Sequence, residues 1–530
     1  MDLVISGGTV VDGTGAAPVP GDVAVADGRI VGVGRFSRPE GVPCVDASGC
    51  YVTPGFIDIH SHSDFTLMIA PRAVSSILQG VTLEVVGNCG HGSAPIGDPE
   101  RTRANIYGCR SGYEIDWRTV GEYLDRLEDR RPGVNVMTLV PNGNLRLAVC
   151  DALDRPSTPD ELGKMKRLLA QGMEEGAAGY STGLEYGPER DCPEDEISGL
   201  CAIAAEYGGI YTTHTRNRPG EAEEAIAESI RTAELAGAPL QISHISSVAR
   251  LADDGGRAVD RALEQVDRAR GGGLDVQFDM HTRLFGTTNL SAALPLWVME
   301  GSSKEIAGRL RDPSVRREME DCESIVTSLA QGDWERIVVF HSPAQPELAG
   351  RSIADLAAAG TGNVYDVICD MLIAASDRLH ELMVIAFSYR EADVRPAFEH
   401  PFCMVGSDAT ALATDGPLKD DTFHGAYTWA SWFFRHFVRD RKLFPPQEAV
   451  RRLTSLPASR LGLSERGMIR NGAHADLAVF DPNVFAERGT TFQPNRTAAG
   501  MRHVLVNGDV AVKDGVLSGQ RYGRVLRREA

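Results

Sequence analysis

Reactive side chains in this sequence stand at the ends of short apolar runs. They are His60-Ser61-His62, Cys89 between Asn88 and Gly90, His214 in His214-Thr215-Arg216, His244 after Ser243, and Asp408 after Ser407. Imidazole, thiolate and carboxylate are the side chains that bind Zn²⁺. His60 and His62 are two residues apart, so alternation along a strand turns both to the same side. A bare His-x-His pair is weak evidence, because histidines are common in structural roles; the position of all these groups just past apolar runs strengthens it. Cys89 differs from Cys150, Cys201 and Cys369, which read as small buried apolar residues. It sits in a Gly-containing turn that can aim its sulfur at an ion, and a coordinated thiol is deprotonated and can serve one ion or bridge two.

The runs themselves recur eight times: Phe56 to His60, Thr82 to Asn88, Val134 to Asn142, Ala178 to Leu184, Ile210 to Arg216, Leu240 to Ser246, Leu274 to Met280 and Phe402 to Asp408. Amphipathic stretches separate several of them, such as Thr158 to Gly172, with Ser157 or Thr158 as cap, and Ala222 to Ala236, ending at Gly237. Near-continuous apolar strands alternating with helices predict an α/β fold, a (β/α)8 TIM-like barrel, whose active site lies at the carboxyl ends of the strands. Between Met280 and Phe402 lies far more chain than one helix requires, which predicts an inserted lobe at about 287–342 after strand seven. Both ends of the chain have short β-branched runs broken by Asp27-Gly28, Asn507-Gly508 and Asp514-Gly515. The expected organisation is a small β-sandwich from residues 1–53 and 464–530 around a metal-dependent barrel at 54–463.

A net charge of -19 over 530 residues argues against a nucleic-acid or anionic-membrane partner. No stretch reaches the roughly 18 uncharged apolar residues of a membrane span, and the N-terminus lacks a basic region followed by an apolar one. The ten cysteines contain no Cys-x-x-Cys pair and read as reduced thiols, so a cytoplasmic location is expected.

The segments VTPGFIDIHSH (52–62), GNCG (87–90), GYSTGLEYGP (179–188), HTR (214–216), ISH (242–244), VGSD (405–408) and DLAVFDP (476–482) make the chain resemble the N-acyl-D-amino-acid deacylases, or D-aminoacylases, of the amidohydrolase superfamily. GNCG with GLEYGP is the narrow part of that resemblance. It implies a tight zinc site from Cys89, His214 and His244, and a weaker second site from His60, His62 and Asp408 with Cys89 able to bridge. Hydantoinase-like relatives bridge with a carboxylated lysine after strand four, but residues 178–186 contain no lysine. The implied reaction is hydrolysis of the C–N bond of a small-molecule amide by metal-activated water, with Asp408 as general base and then acid.

The substrate positions match less well. Tyr186 corresponds to a family tyrosine that contacts the substrate carboxylate, and Arg216 follows the strand-five histidine as it does in the family. The family's lysine two residues after the strand-six histidine is Ser246 here. Its Tyr-Pro-Tyr after Asp279 is His281-Thr282-Arg283, its His-Pro-Arg after strand eight is His424-Gly425-Ala426, and Asn142 stands where strand three often ends in histidine. Arg283 is the candidate replacement anchor for a substrate carboxylate, and His424 a further candidate contact. The altered pocket leaves hydrolysis of a cyclic or atypical amide as the alternative. A catalytically inactive scaffold is disfavoured by the complete ligand set, and a deaminase by Cys89.

Overall fold

The computed structural model describes the whole chain except residues 38, 110–112, 217, 246–256, 300–301, 361, 377 and 529–530, so Ser246 lies outside the described residues. Apolar runs become strands where both faces are covered: Val81–Val86, Gly179–Gly183 and Ile210–His214 are buried at every position, as parallel strands packed under helices must be. Eight parallel segments follow the expected order, in two sheets. One sheet contains Phe56–Asp58, Val81–Val86 and Asn135–Thr138; the other runs Val140–Pro141, Gly179–Gly183, Ile210–His214, Leu240–Ile242, Val276–His281 and Cys403–Gly406. The third segment contributes a piece to each sheet, on either side of Leu139. At the opposite edges, Asp408 N donates to His60 O (2.8 Å) and His62 N to Ala409 O (2.9 Å). These two bonds bring chain positions far apart in sequence to one place.

The intervening helices start where local chemistry starts them. Pro159–Glu174 begins with Thr158 accepting from Glu161 N while Glu161 bonds back to the Thr158 backbone, a capping box with Pro at the first turn. Arg218–Ala236 ends one residue before Gly237, in the left-handed conformation that glycine tolerates. No helix among the described residues is long and apolar enough to cross a membrane.

The two ends of the chain meet in a single hydrogen-bonded sheet of nine strands. Tyr51–Pro54 pairs antiparallel with Leu477–Phe480 and so joins the N-terminal strands to the C-terminal ones. The first strand, Leu3–Val10, pairs with Val19–Ala26 with an irregularity between Ile5 and Gly8. Asp27-Gly28 turns Val19–Ala26 into Arg29–Gly34 with both turn residues at positive φ, as a two-residue hairpin requires.

After the seventh parallel segment, Gly286–Asn289 and Ile337–His341 flank Met383–Ala386 in an antiparallel sheet. The structure separate from the parallel strands therefore runs well past residue 342. Its central strand comes from a distant part of the sequence, and local patterning carries no signal for such pairing.

Candidate metal centre

The carboxyl ends of the first, second, fifth, sixth and eighth parallel segments deliver the reactive side chains to one buried region. His60 Nε2 lies 3.1 Å from Cys89 Sγ, and Cys89 Sγ lies 3.5 Å from His244 Nε2. Asp408 Oδ1 is 3.2 Å from His62 Nε2 and 3.7 Å from His60 Nε2. Two groups are close enough to share an ion: His60, Cys89 and His244; and His60, His62 and Asp408. His60 thus belongs to both, whereas the family resemblance assigns it only to the second. The His214 ring stands 4.8 Å from the His244 ring, and its Nε2 faces Glu185 Oε2 at 2.8 Å.

Local backbone geometry aims these groups. Cys89, His244 and Asp408 all have positive φ, uncommon for residues other than glycine. Each lies two or three residues past the end of a strand, in the turn that leaves it. Glu189, 1 % exposed, supports the Cys89 turn: Oε2 accepts from Asn142 Nδ2 and from Gly183 N, both at 3.0 Å. A Cβ on Gly90 would collide with Oε1 of the same carboxyl group.

The electrostatics fit a cation. Burial alone would raise the Cys89 thiol, but the charges of His60 and His244 and bonds from His214 and His244 hold it well below its ordinary value. Burial likewise opposes charge on the histidines; against it, Cys89 and Asp279 drive His60 well up, and Asp408 and Cys89 raise His62 to about 9. Burial pushes Asp408 up, yet Arg283 first, then His62, bring it well below the usual carboxylate range. Thiolate and carboxylate here hold protons on imidazoles, which is the place a metal ion takes when it displaces those protons. His62 Nδ1 is in addition buried without a hydrogen-bond partner among the described residues. The donor set of thiolate, imidazole and carboxylate suits zinc.

Of the expected substrate contacts, Tyr186 stands at the site, its ring 4.6 Å from His214 and 4.4 Å from His91. Arg216 is engaged elsewhere, with Glu228 (3.2 Å) and the carbonyl oxygens of Arg190 and Cys192. Arg283 is buried against Asp408. His424 packs 4.6 Å from Phe285, and burial followed by the Arg283 charge lowers it to about 3.

Two residues escaped sequence reasoning. Asp279 accepts from His60 Nδ1 (3.0 Å), from His244 N (2.8 Å) and from Gln241 Nε2 (3.0 Å). Its place near the end of the seventh strand was the available signal. Tyr107 lies in a loop with no strand pattern, yet its ring is 4.8 Å from His62. It also lines a cavity of about 50 Å³ together with Phe423, His341 and Glu381.

Parallel strands that gather such a donor set at their carboxyl ends define a metal-dependent α/β hydrolase. The chain belongs to the amidohydrolase family, whose pattern it matches over residues 44–295 and 406–512. It is 34% identical over its full length to N-acyl-D-glutamate deacylase of Alcaligenes xylosoxydans xylosoxydans, covering 97% of that protein. It resembles a D-aminoacylase structure described for the functional role of its binuclear metal centre, with TM-score 0.83 and 31% identity over 99% of this chain and 100% of that one. It also resembles N-acyl-D-glutamate deacylase of Bordetella bronchiseptica, complexed with zinc and a phosphonate mimic of the tetrahedral intermediate: TM-score 0.82 and 32% identity over 99% of both chains.

Proposed function

We propose that this protein is a zinc-dependent amide hydrolase of the N-acyl-D-amino-acid deacylase type. The observation that carries the reading is the Cys89 thiol set 3.1 Å from His60 Nε2 and 3.5 Å from His244 Nε2, with Asp408 alongside. Cys89, His214 and His244 would hold the tight ion and His60, His62 and Asp408 the weaker one, with Cys89 able to serve both. The names of the relatives at 31–34% identity support the substrate class. The eight parallel segments are read as one closed (β/α)8 barrel, which the shared third segment and the His60–Asp408 backbone bond support. The terminal sheet is read as a folded sandwich. Ten free cysteines agree with a cytoplasmic setting.

When bound, zinc supplies Lewis-acid activation of water and of the amide carbonyl. Asp408, held ionised, accepts the proton of the attacking water and returns it to the departing nitrogen, without which an amine leaves poorly. Tyr186 and His424 line the substrate side, and the low proton affinity of His424 makes it a neutral contact. Burial of His60, His62, Cys89, His214 and His244 keeps bulk water from most of the site, and Asp408, its side chain 18 % exposed, is the partly open member.

Zinc-loaded protein should release carboxylate from N-acetyl-D-amino acids in preference to their L enantiomers. Turnover confined to cyclic imides, or release of ammonia, would overturn the assignment. Hydrolysis of a cyclic or atypical amide is the second reading. It is favoured by the engagement of Arg216 with Glu228 and of Arg283 with Asp408.

A further inference from the structure

Arg283 stands two residues past the seventh parallel strand, Val276–His281, and its side chain is 2 % exposed. A guanidinium has five N–H donors, four of them on the two terminal nitrogens. Here Nη1 donates to Ser407 O (2.8 Å) and His424 O (3.2 Å). Nη2 donates to Asp408 O (3.0 Å) and to Asp408 Oδ2. The remaining donor, Nε, is buried and faces no acceptor among the described residues. No terminal N–H is left to form the two-pronged grip by which arginine holds a substrate carboxylate. Serving as that anchor would strip Asp408 of its partner and leave two buried carbonyl oxygens unsatisfied.

The neighbouring loop is shaped to this arrangement. Gly425 has φ +103, and a Cβ there would sit 3.0 Å from Arg283 Nη1 and 2.8 Å from Ser407 O. Arg283 and His424 are 141 positions apart in the chain and in direct contact in the fold. With Oδ2 taken by Arg283, only Oδ1 of Asp408 faces His62 (3.2 Å) and His60 (3.7 Å).

We infer that Arg283 is a positioning residue: it clamps the turn after the eighth strand and fixes Asp408 with a single oxygen turned to the metal ligands. Its fixed charge also opposes a second cation at His60, His62 and Asp408. The inference rests on the hydrolase reading above and gives Arg283 a task other than the carboxylate anchor expected from the sequence, so the substrate carboxylate, where present, is held by other groups.

The test uses full-length zinc protein and Arg283→Met, Arg283→Lys and Gly425→Ala. Thermal melts establish that each variant is folded, and Gly425→Ala perturbs the clamp while Arg283 remains. A lost positioning contact should lower kcat by about tenfold or more in Arg283→Met with KM within about threefold, with partial recovery in Arg283→Lys. Gly425→Ala should show the same pattern in weaker form. A rise in KM of about tenfold with kcat retained would make Arg283 the substrate anchor and overturn the inference, as would unchanged kcat and KM. Zinc titration reads the same contact without turnover: the second zinc should bind Arg283→Met about tenfold more tightly than wild type, and equal affinity overturns the inference. If the wild-type protein hydrolyses no amide, the functional reading fails, and the titration still decides the role of Arg283.

Discussion

Asp279 Oδ1 lies 3.0 Å from Nδ1 of His60 and accepts a hydrogen bond from it. The carboxylate thereby fixes the tautomer in which Nε2, facing Cys89, is the nitrogen available to an ion. The same oxygen accepts from the backbone N–H of His244 at 2.8 Å, so one side chain orients candidate ligands from two parallel segments.

Asp279→Asn presents an amide that can donate to Nδ1 and favour the wrong tautomer. Zinc affinity, measured by chelator competition, should fall by about 10–100-fold. Unchanged affinity would show that His60 orientation does not depend on Asp279.

Cys89→Ser removes the thiolate common to the cluster. The protein should be isolated with much less zinc by elemental analysis, while Cys150→Ser, at a fully buried site away from the ligands, should lose stability but keep its metal. Equal zinc content in the two variants would remove Cys89 from the ligand set.

Asp408→Asn keeps the size of the side chain and loses its capacity to take a proton. Zinc at Cys89, His214 and His244 should be retained, and kcat should fall by about 10²–10⁴-fold. Near-normal turnover would rule out Asp408 as the base.

Glu189 gives a stability prediction with a defined sign. Burial raises its carboxyl from an ordinary value near 4.5 to about 7, against opposing bonds from Asn142 and Gly183. The folded state therefore holds the proton more tightly than the unfolded one. This contribution is fully present below about pH 4.5 and is lost as pH rises towards 7. Glu189→Gln keeps one oxygen to accept both bonds and has nothing to ionise. Its stability in urea should exceed wild type by about 1–3 kcal/mol at pH 8 and match it near pH 4.5. A pH-independent difference would show that folding leaves the Glu189 carboxyl unshifted.

The sequence by itself determined the order of eight parallel segments, the reactive residues at their ends, and local features such as the Thr158 cap and the Asp27-Gly28 turn. Those are consequences of short-range rules: apolar runs, alternation, caps and turn residues. The family was legible for the same reason, since GNCG and GLEYGP lie where strands meet loops. What only the tertiary structure decided are pairings across long chain separations. They include His60 shared between both ligand groups, Asp279 beneath His60 and His244, Met383–Ala386 as the centre of the inserted sheet, and Arg283 held by Asp408. An arginine in a sequence announces a charge and five donors, but which acceptors fill them depends on the loops folded against it. In this fold they are Asp408 and the backbone carbonyls of Ser407 and His424, the contacts on which the positioning role inferred for Arg283 rests.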